Sequence, residues 1–327
     1  MVKLAGVDEA GLGPLLGPLT LGFSVFEAPA AASDLWRALA PAVSDDPLRD
    51  AKCFVVADSK LVFKRTPRCA KRLETTALGF LALLAPARRP HTSVGRLLWE
   101  SPAALAPPDE VVARHPWYRD LATKLPAHQD ASALELRVES LWRAMQRSEV
   151  ELLDAGVRVL PEGELNRSFR ETSNKAATHW AASLAIFQRI WREHAHGGLE
   201  LTVDRHGGRM HYGPQLARAF TDASVVLVGE SPERSEYQLS ERRGPRAMRV
   251  IFAERAEQLS LAVALGSCLA KYARETAMNA FNAWFATRAP ELTATAGYTT
   301  DARRWLGDAR AVIERERLDR DCLVRER

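Results

Sequence analysis

The stretch Gly6-Val7-Asp8-Glu9-Ala10-Gly11-Leu12-Gly13-Pro14 places two adjacent carboxylates between an apolar run and a glycine-rich bend. The apolar run before them has the composition of a short buried strand. Neighbouring residues on a regular strand point to opposite faces of a sheet, so Asp8 and Glu9 can serve one centre only if the chain turns there. The two glycines and the proline permit such a turn. We therefore expect the chain to open with a strand that turns at the two acids.

The adjacent acids have a chemical consequence. Two carboxylates that are held side by side repel each other and shift each other's pKa. Hard divalent cations such as Mg²⁺ take oxygen ligands and relieve this repulsion. The plain alternative is an Asp-Glu pair at a solvated strand end, which is common in proteins.

The longer string from Gly6 to Pro18, Gly-Val-Asp-Glu-Ala-Gly-x-Gly-Pro-Leu-x-Gly-Pro, closely resembles the opening signature of the type 2 ribonucleases H, ribonucleases HII and HIII. Members of that family usually carry Arg where this chain has Leu12. Further segments resemble family motifs in the family's order: Asp58-Ser59-Lys60-Leu61, Leu199 to Asp204, Leu261 to Glu275, and Ala296-Gly297-Tyr298-Thr299-Thr300.

The resemblance implies an α/β, ribonuclease H-like fold with a mixed central sheet flanked by helices and with an inserted segment. We expect the catalytic domain over residues 1–300 and a charged, helical C-terminal tail over 301–327. Prolines interrupt every periodic run between residues 86 and 130. We interpret this segment as an insertion that is partly strand and partly loop.

The resemblance also implies a set of four carboxylates, Asp8, Glu9, Asp204 and Glu275, that hold two Mg²⁺ or Mn²⁺ ions. Asp204 ends an apolar run, as the family's third acid does. Glu275 falls where the family usually has Asp. Lys271 and Glu275 are spaced i,i+4, so an ordinary ion pair on a helix surface is the alternative for Glu275.

The substrate that the resemblance implies is an RNA–DNA hybrid, or DNA with embedded ribonucleotides, cut to leave 5′-phosphate and 3′-hydroxyl ends. The 2′-hydroxyl is the group that separates RNA from DNA. The expected substrate-binding residues are Gly11, Leu12, Gly13, Ser59, Lys60, Arg205, Lys271 and Tyr298. A non-catalytic nucleic-acid-binding paralogue is the alternative function, because Leu12 and Glu275 both depart from the family pattern.

Composition is compatible with this hypothesis. The 327 residues are 46% hydrophobic, and the net charge is +4 with a sequence pI near 9.0, which permits a polyanionic partner. No apolar stretch is long enough to span a bilayer, and the first motif begins too early for a cleaved signal peptide. We expect a cytoplasmic monomer without membrane contact, and the sequence names no protein partner. Four cysteines without CxxC spacing are expected to be free thiols: Cys53, Cys69, Cys268 and Cys322.

Two other motif readings are weaker. The spacing from Gly11 and Gly13 to Gly17 is one residue too long for a dinucleotide-binding GxGxxG loop, and the adjacent prolines would disrupt a following helix. His194 and His196 are close in sequence and His206 follows, but no cysteine or further histidine completes a zinc site with them.

Periodicity predicts the main elements. We expect helices over Ala70 to Leu84, residues 131–155, Lys175 to His194 and Leu259 to Phe285. We expect strands over Pro18 to Phe26, Val157 to Leu160, Leu199 to Asp204 and Arg249 to Phe252.

Overall fold

The computed structural model describes residues 1–100, 102–119 and 121–326. Its strands are β1 Val2–Ala10, β2 Leu19–Ala28, β3 Val43–Ser44, β4 Phe54–Val55, β5 Glu151–Leu160, β6 Leu199–Asp204, β7 Ala223–Glu230, β8 Arg234–Glu241 and β9 Ala247–Ala253. Its α-helices are α1 Leu35–Ala38, α2 Ser59–Val62, α3 Pro67–Leu84, α4 Val94–Trp99, α5 Asp109–Ala113, α6 Ala131–Arg147, α7 Glu162–Thr172, α8 Lys175–His194, α9 Gly213–Ala219, α10 Ala256–Leu259, α11 Leu261–Ala286, α12 Thr299–Asp308, α13 Arg310–Arg315 and α14 Arg320–Leu323.

A seven-stranded sheet in the order β5-β2-β1-β6-β9-β8-β7 forms the centre of the fold. The pairs β1–β6 and β6–β9 are parallel, and the remaining neighbours are antiparallel. The predicted α/β fold with a mixed sheet flanked by helices is therefore confirmed. The predicted helix over Lys175 to His194 and the predicted strand over Leu199 to Asp204 are present with those bounds.

The two long helices α8 and α11 cover opposite faces of the sheet. Ala5 and Val7 of β1 belong to the core that contains the apolar side of α8. Gly6, which points the other way, lies against α11, where an added Cβ would be 2.1 Å from the backbone nitrogen of Val263. Gly22 of β2 meets α11 in the same way, because its added Cβ would lie 2.0 Å from the carbonyl oxygen of Gly266. Glycine at these positions lets the helix approach the strands directly.

The expected turn at Asp8 and Glu9 is wrong. β1 continues to Ala10, and its register with β2 stays regular, with Asp8 opposite Gly22 and Glu9 opposite Leu21. The bend begins at Gly11, whose φ of 88° is in the left-handed region that favours glycine. The two acids therefore leave the end of the strand on opposite faces of the sheet. The charge of Glu9 still acts on both Asp8 and Asp204, so a shared site at the strand end does not require the turn.

The single helix expected over residues 131–155 is also wrong. The helix ends at Arg147, and β5 begins at Glu151. Glu149 has a φ of 53°, which a continuing helix does not allow. The apolar residues Leu152 and Leu153 continue the helical spacing of α6. β5 nevertheless pairs along its length with β2, so strand pairing determines the structure here.

The segment 86–130 contains short helices in place of the expected strand. α4 and α5 lie within it, together with 3₁₀ helices at Pro86–Arg88, Ala103–Leu105 and Pro116–Tyr118. In the described residues of this segment the only strand-like feature is an isolated bridge between Ser93 and Lys124. Proline starts helices readily, because its fixed φ suits the first turn and its missing N–H is not needed there.

The C-terminal residues pack against the rest of the chain. Trp305 of α12 is fully buried and its ring lies 5.1 Å from that of Phe281 and 4.6 Å from that of Phe285, both on α11. None of the helices in the described part of the chain is long and apolar enough to cross a membrane.

Candidate active site

The strand order explains which acids meet. β1, β6 and β9 are neighbours and run in the same direction, so their carboxyl ends lie at one edge of the sheet. Asp8 and Glu9 lie near the end of β1, and Asp204 is the last residue of β6. The acidic residues after β9 lie at the same edge. We call Asp8, Glu9, Asp204 and Glu257 the acidic site.

Asp8 points towards α11. The Ser267 side chain hydrogen-bonds to Asp8, and Asp8 Oδ1 also accepts the backbone N–H of Glu9 at 2.7 Å. Burial raises the pKa of Asp8 well above its usual value, and the negative charges of Glu9 and Asp204 raise it further. The Asp8 carboxylate is therefore held in place but lacks the positive neighbour that would favour its charged form.

Asp204 is held against the start of α10. Its Oδ1 accepts the backbone N–H of Ala256 at 3.2 Å. Burial raises the pKa of Asp204 to about 6, and repulsion from Glu257 and Glu9 adds to this effect. The charge of Lys60 acts in the opposite direction.

Glu257 is a site residue that the sequence motifs did not identify. It lies on the four-residue helix α10, directly after β9, and is 8% exposed. Among the described residues it has no hydrogen-bond or ion-pair partner, whereas its charge acts on Asp204. The one available signal was an acid shortly after a strand, and that signal becomes informative only when β9 is known to be the parallel neighbour of β6.

Glu9 points to the opposite face, towards α8. Its Oε2 lies 3.3 Å from Nε2 of His179, which is 3% exposed. The His179 ring stacks on His206 with centroids 3.9 Å apart. Burial lowers the pKa of His206 well below its usual value, so this second ring is neutral. The histidine pair thus limits where the Glu9 carboxylate can lie.

Ser59 and Lys60 lie on α2, near the acidic site, and their substrate-binding role stays a prediction. Asp58 caps α2 by accepting the backbone N–H of Lys60 at 2.9 Å. The preceding residue, Ala57, accepts a hydrogen bond from Cys268 of α11, and Cys268 interacts electrostatically with Asp8. Ser59 is buried, whereas Lys60 is exposed and its charge reaches Asp204.

The structure does not bring Glu275 to the other acids. Glu275 lies eight positions after Ser267 on α11, which corresponds to about 12 Å along a helix at 1.5 Å per residue. Its carboxylate pairs with Lys271, whose Nζ also lies 4.9 Å from the centre of the Phe63 ring. Both residues therefore occupy a neighbouring surface of α11, and the predicted metal-ligand role of Glu275 stays a prediction.

The remaining expected contact residues have different environments. Arg205 is bound within the chain, because it pairs with Glu254 at 3.2 Å and donates to the carbonyl oxygen of Pro232. Leu12 is 43% exposed on the bend, beside Gly13. Tyr298 is 52% exposed. The residue before it, Gly297, accepts backbone hydrogen bonds from the bend.

The donor chemistry of the acidic site fits a divalent metal. All four side chains offer carboxylate oxygens, which Mg²⁺ and Mn²⁺ prefer. The raised pKa values of Asp8 and Asp204 reflect burial and a repulsion that a cation would relieve. Within the described residues no three His, Cys, Asp or Glu side chains already form a metal-binding group. Mg²⁺ does not need such a cage, since it commonly uses one or two carboxylates together with water and substrate phosphates.

Comparisons with known proteins find likenesses among solved structures. A search of protein-family models gives no match, and a search of curated proteins gives none either. The ribonuclease H2 of Pyrococcus horikoshii is similar over 98% of this chain and 92% of its own, with 15% identity and a TM-score of 0.42. The ribonuclease HII of Archaeoglobus fulgidus, solved in complex with PCNA, is similar over 100% of this chain and 95% of its own, with 12% identity and a TM-score of 0.42.

Bst ribonuclease HIII, solved in complex with Mn²⁺, is similar over 99% of this chain and 66% of its own, with 13% identity and a TM-score of 0.45. These structures are all ribonucleases of the H2, HII or HIII type, the group that the sequence motifs resemble. The activity of this chain is argued from its own residues.

Proposed function

We propose that this protein is a metal-dependent endonuclease that hydrolyses the RNA strand of RNA–DNA hybrids and leaves 5′-phosphate and 3′-hydroxyl ends. The observation that carries the proposal is the acidic site itself. Four carboxylates lie at the edge where three parallel strands end, and burial and mutual repulsion raise the pKa of Asp8 and Asp204. A purely structural cluster would pair these acids with cations.

A divalent metal bound there would lower the pKa of a water molecule and stabilise the charge on the leaving 3′-oxygen. The residues of the chain that would hold it are Asp8, Glu9, Asp204 and, in place of Glu275, Glu257. Ser267 and the backbone N–H of Ala256 hydrogen-bond to the carboxylates of Asp8 and Asp204, and His179 lies 3.3 Å from that of Glu9. No protein nucleophile is required for this hydrolysis.

The proposed specificity for an RNA strand rests on the bend after β1. Gly11 and Gly13 carry no side chain, so the backbone of the bend leaves room for a sugar to approach. The exposed Tyr298 ring is held near the bend through Gly297. Lys60 supplies a positive charge for a phosphate beside the acidic site. The same contacts would allow cleavage of DNA that contains a single ribonucleotide.

The test is cleavage of an RNA–DNA hybrid by the purified protein with Mg²⁺ or Mn²⁺, with chelator as the control. We expect cutting that stops with chelator, and loss of cutting in Asp8→Asn and Asp204→Asn proteins that remain folded. Asp109→Asn, on an exposed acid of α5, is the matched control and should retain activity. Hybrid binding without any cutting would instead support the non-catalytic paralogue, and robust cutting by Asp8→Asn protein would exclude the proposed site.

A further inference from the structure

Basic residues follow one another from α2, beside the acidic site, into the start of α3. Residues 59–73 contain no acid and hold Lys60, Lys64, Arg65, Arg68, Lys71 and Arg72. Arg68 and Arg72 both pair with Asp50, at 2.8 and 2.9 Å. The other four have no ion pair in the described residues, and their side chains are exposed. We call Lys60, Lys64, Arg65 and Lys71 the basic row.

The basic row runs beside a groove of about 610 Å³. Arg65 lines this groove, and Lys64 and Lys71 are the chain neighbours of the lining residues Phe63 and Ala70. One wall comes from Phe63, Arg65 and α3, and another comes from Leu125, Ala127 and His128 of the 86–130 segment. Tyr272, Thr276 and Asn279 of α11 line it as well. The basic row connects the acidic site with the groove: the charge of Lys60 acts on Asp204, and Phe63, three positions later in the chain, lines the groove.

Both carboxylates that line the groove have partners within the chain. Glu74 is fully buried and accepts the backbone N–H groups of Ala127 and His128, both at 2.8 Å, as well as the hydroxyl of Tyr272 at 3.0 Å. Glu275 pairs with Lys271. Glu74 is buried away from the solvent side of the groove, whereas the exposed Arg65 lines it without an ion pair in the described residues, and the exposed Lys64 and Lys71 lie beside it in the chain.

We infer that this groove binds the sugar-phosphate backbone of a nucleic-acid strand that continues from the acidic site. The occupant follows from charge complementarity. Four exposed basic side chains, of which Arg65 lines the groove, are spaced along the chain beside it, an arrangement that matches the repeated phosphates of a strand better than a single small anion. The Phe63 ring and the apolar groove wall provide surface for sugars and bases. This inference rests on the proposed nuclease function and names the surface that holds the substrate away from the cleaved bond.

The experiment compares two triple variants of the full chain, each in the Asp8→Asn background so that the substrate stays intact. The test variant is Lys64→Gln, Arg65→Gln and Lys71→Gln. The control variant is Arg192→Gln, Arg218→Gln and Arg243→Gln, which removes the same charge from exposed arginines that have no ion pair in the described residues. Binding of a short RNA–DNA hybrid is measured over a series of salt concentrations, together with the thermal midpoint of each variant.

We expect the test variant to bind at least about tenfold more weakly than the control, with the slope of log K against log salt smaller by about 2 to 3, roughly one for each lost phosphate contact. The thermal midpoint should not change, since these side chains have no partners. Equal affinity and equal slope in both variants would overturn the inference. Competition by polyglutamate as strong as that by nucleic acid would also overturn it, because the groove would then accept any polyanion.

The outcome separates this inference from the proposed function. If the chain with Asp8 intact cleaves hybrids, but the two triple variants bind them equally well, the proposed nuclease function stands and the inference about the groove is wrong. If the test variant binds hybrids more weakly than the control but the chain with Asp8 intact cuts nothing with any divalent metal, the inference about the groove stands and the proposed nuclease function is wrong.

Discussion

Two clusters of charged residues lie near the bend after β1, and they differ in the partners that their charges have within the fold. In the acidic site, the negative charges of Glu9 and Glu257 act on Asp204, and Lys60 is the cation among the described residues whose charge opposes them. Beneath the bend, Arg274, Arg325 and Glu162 form a second cluster, which we call the arginine cluster. All three residues are buried, and each bonds to backbone groups of the bend.

The arginine cluster fixes the shape of the bend. Arg325 Nε donates to the carbonyl oxygen of Gly17 at 2.6 Å, and its Nη1 donates to that of Gly11. Arg274 donates to the carbonyl oxygens of Pro18 and Leu16. These charges complete hydrogen bonds within the fold, whereas burial and repulsion among the carboxylates of the acidic site raise the pKa of Asp8 and Asp204. The comparison supports a structural role for the arginine cluster and is consistent with the metal-binding role proposed for the acidic site.

Arg325→Met should give the largest effect, on stability. Methionine keeps an apolar stem but leaves the carbonyl oxygens of Gly11 and Gly17 without their charged donor. Removing one member of a buried charged cluster typically costs about 3–5 kcal/mol. We expect a decrease of that size in the free energy of unfolding measured with denaturant. Arg320→Met, on an exposed arginine of α14, is the control and should change stability little. Equal stability of the two variants would contradict the structural role of the cluster.

Glu257→Gln should reduce catalysis without reducing stability. Amides are poorer ligands for hard cations than carboxylates, and removing one of four repelling acids relieves repulsion. We expect at least about a 100-fold loss of cleavage rate, beyond the effect typical of residues that only orient a metal ligand. Glu275→Gln is the matched control and should lose far less, because that residue pairs with Lys271. If Glu275→Gln instead loses more cleavage activity than Glu257→Gln at limiting metal, Glu275 is the fourth metal-binding carboxylate.

Glu162→Gln tests the arginine cluster through pH. Burial raises the pKa of Glu162 to about 7, despite the nearby charges of Arg325 and Arg274. An acid with a raised folded-state pKa stabilises the fold fully below its unfolded pKa, and this contribution is lost as pH rises through 7. Neighbouring His115 has a pKa lowered to about 4 by burial, and the pKa of Tyr118 is well above 10, so neither titrates in this window.

We therefore expect the unfolding free energy of the wild type to fall by about 1–3 kcal/mol relative to Glu162→Gln between pH 5 and pH 8. Denaturant unfolding at several pH values measures the difference. Parallel stability curves for the two proteins would show that Glu162 keeps its charge when buried.

The sequence predicted the elements that local pattern determines and missed those that depend on strand pairing. α8 has the predicted bounds because its apolar spacing and its Asn174 cap are local signals. β5 was predicted too short, because its first residues continue a helical spacing and only the partner β2 reveals them as a strand. Glu257 was missed for the same reason, since nothing in a four-residue helix marks it until β9 lies beside β6.

Leu12→Arg should give the smallest effect, a gain of function. The bend has two arginines beneath it, but the exposed residue on its outer side is Leu12, where the resembled family carries Arg. A leucine offers neither charge nor donor to a phosphate, and a charge-assisted hydrogen bond is typically worth about 1.5–3 kcal/mol. We expect Leu12→Arg to raise cleavage of DNA with one embedded ribonucleotide by roughly tenfold, and more at low salt than at high salt, because salt screens exposed charges. Leu136→Arg, on an exposed leucine of α6, adds the same charge elsewhere and should change the rate little. If Leu12→Arg gives no more than Leu136→Arg at either salt concentration, the substrate does not pass over the outer side of the bend.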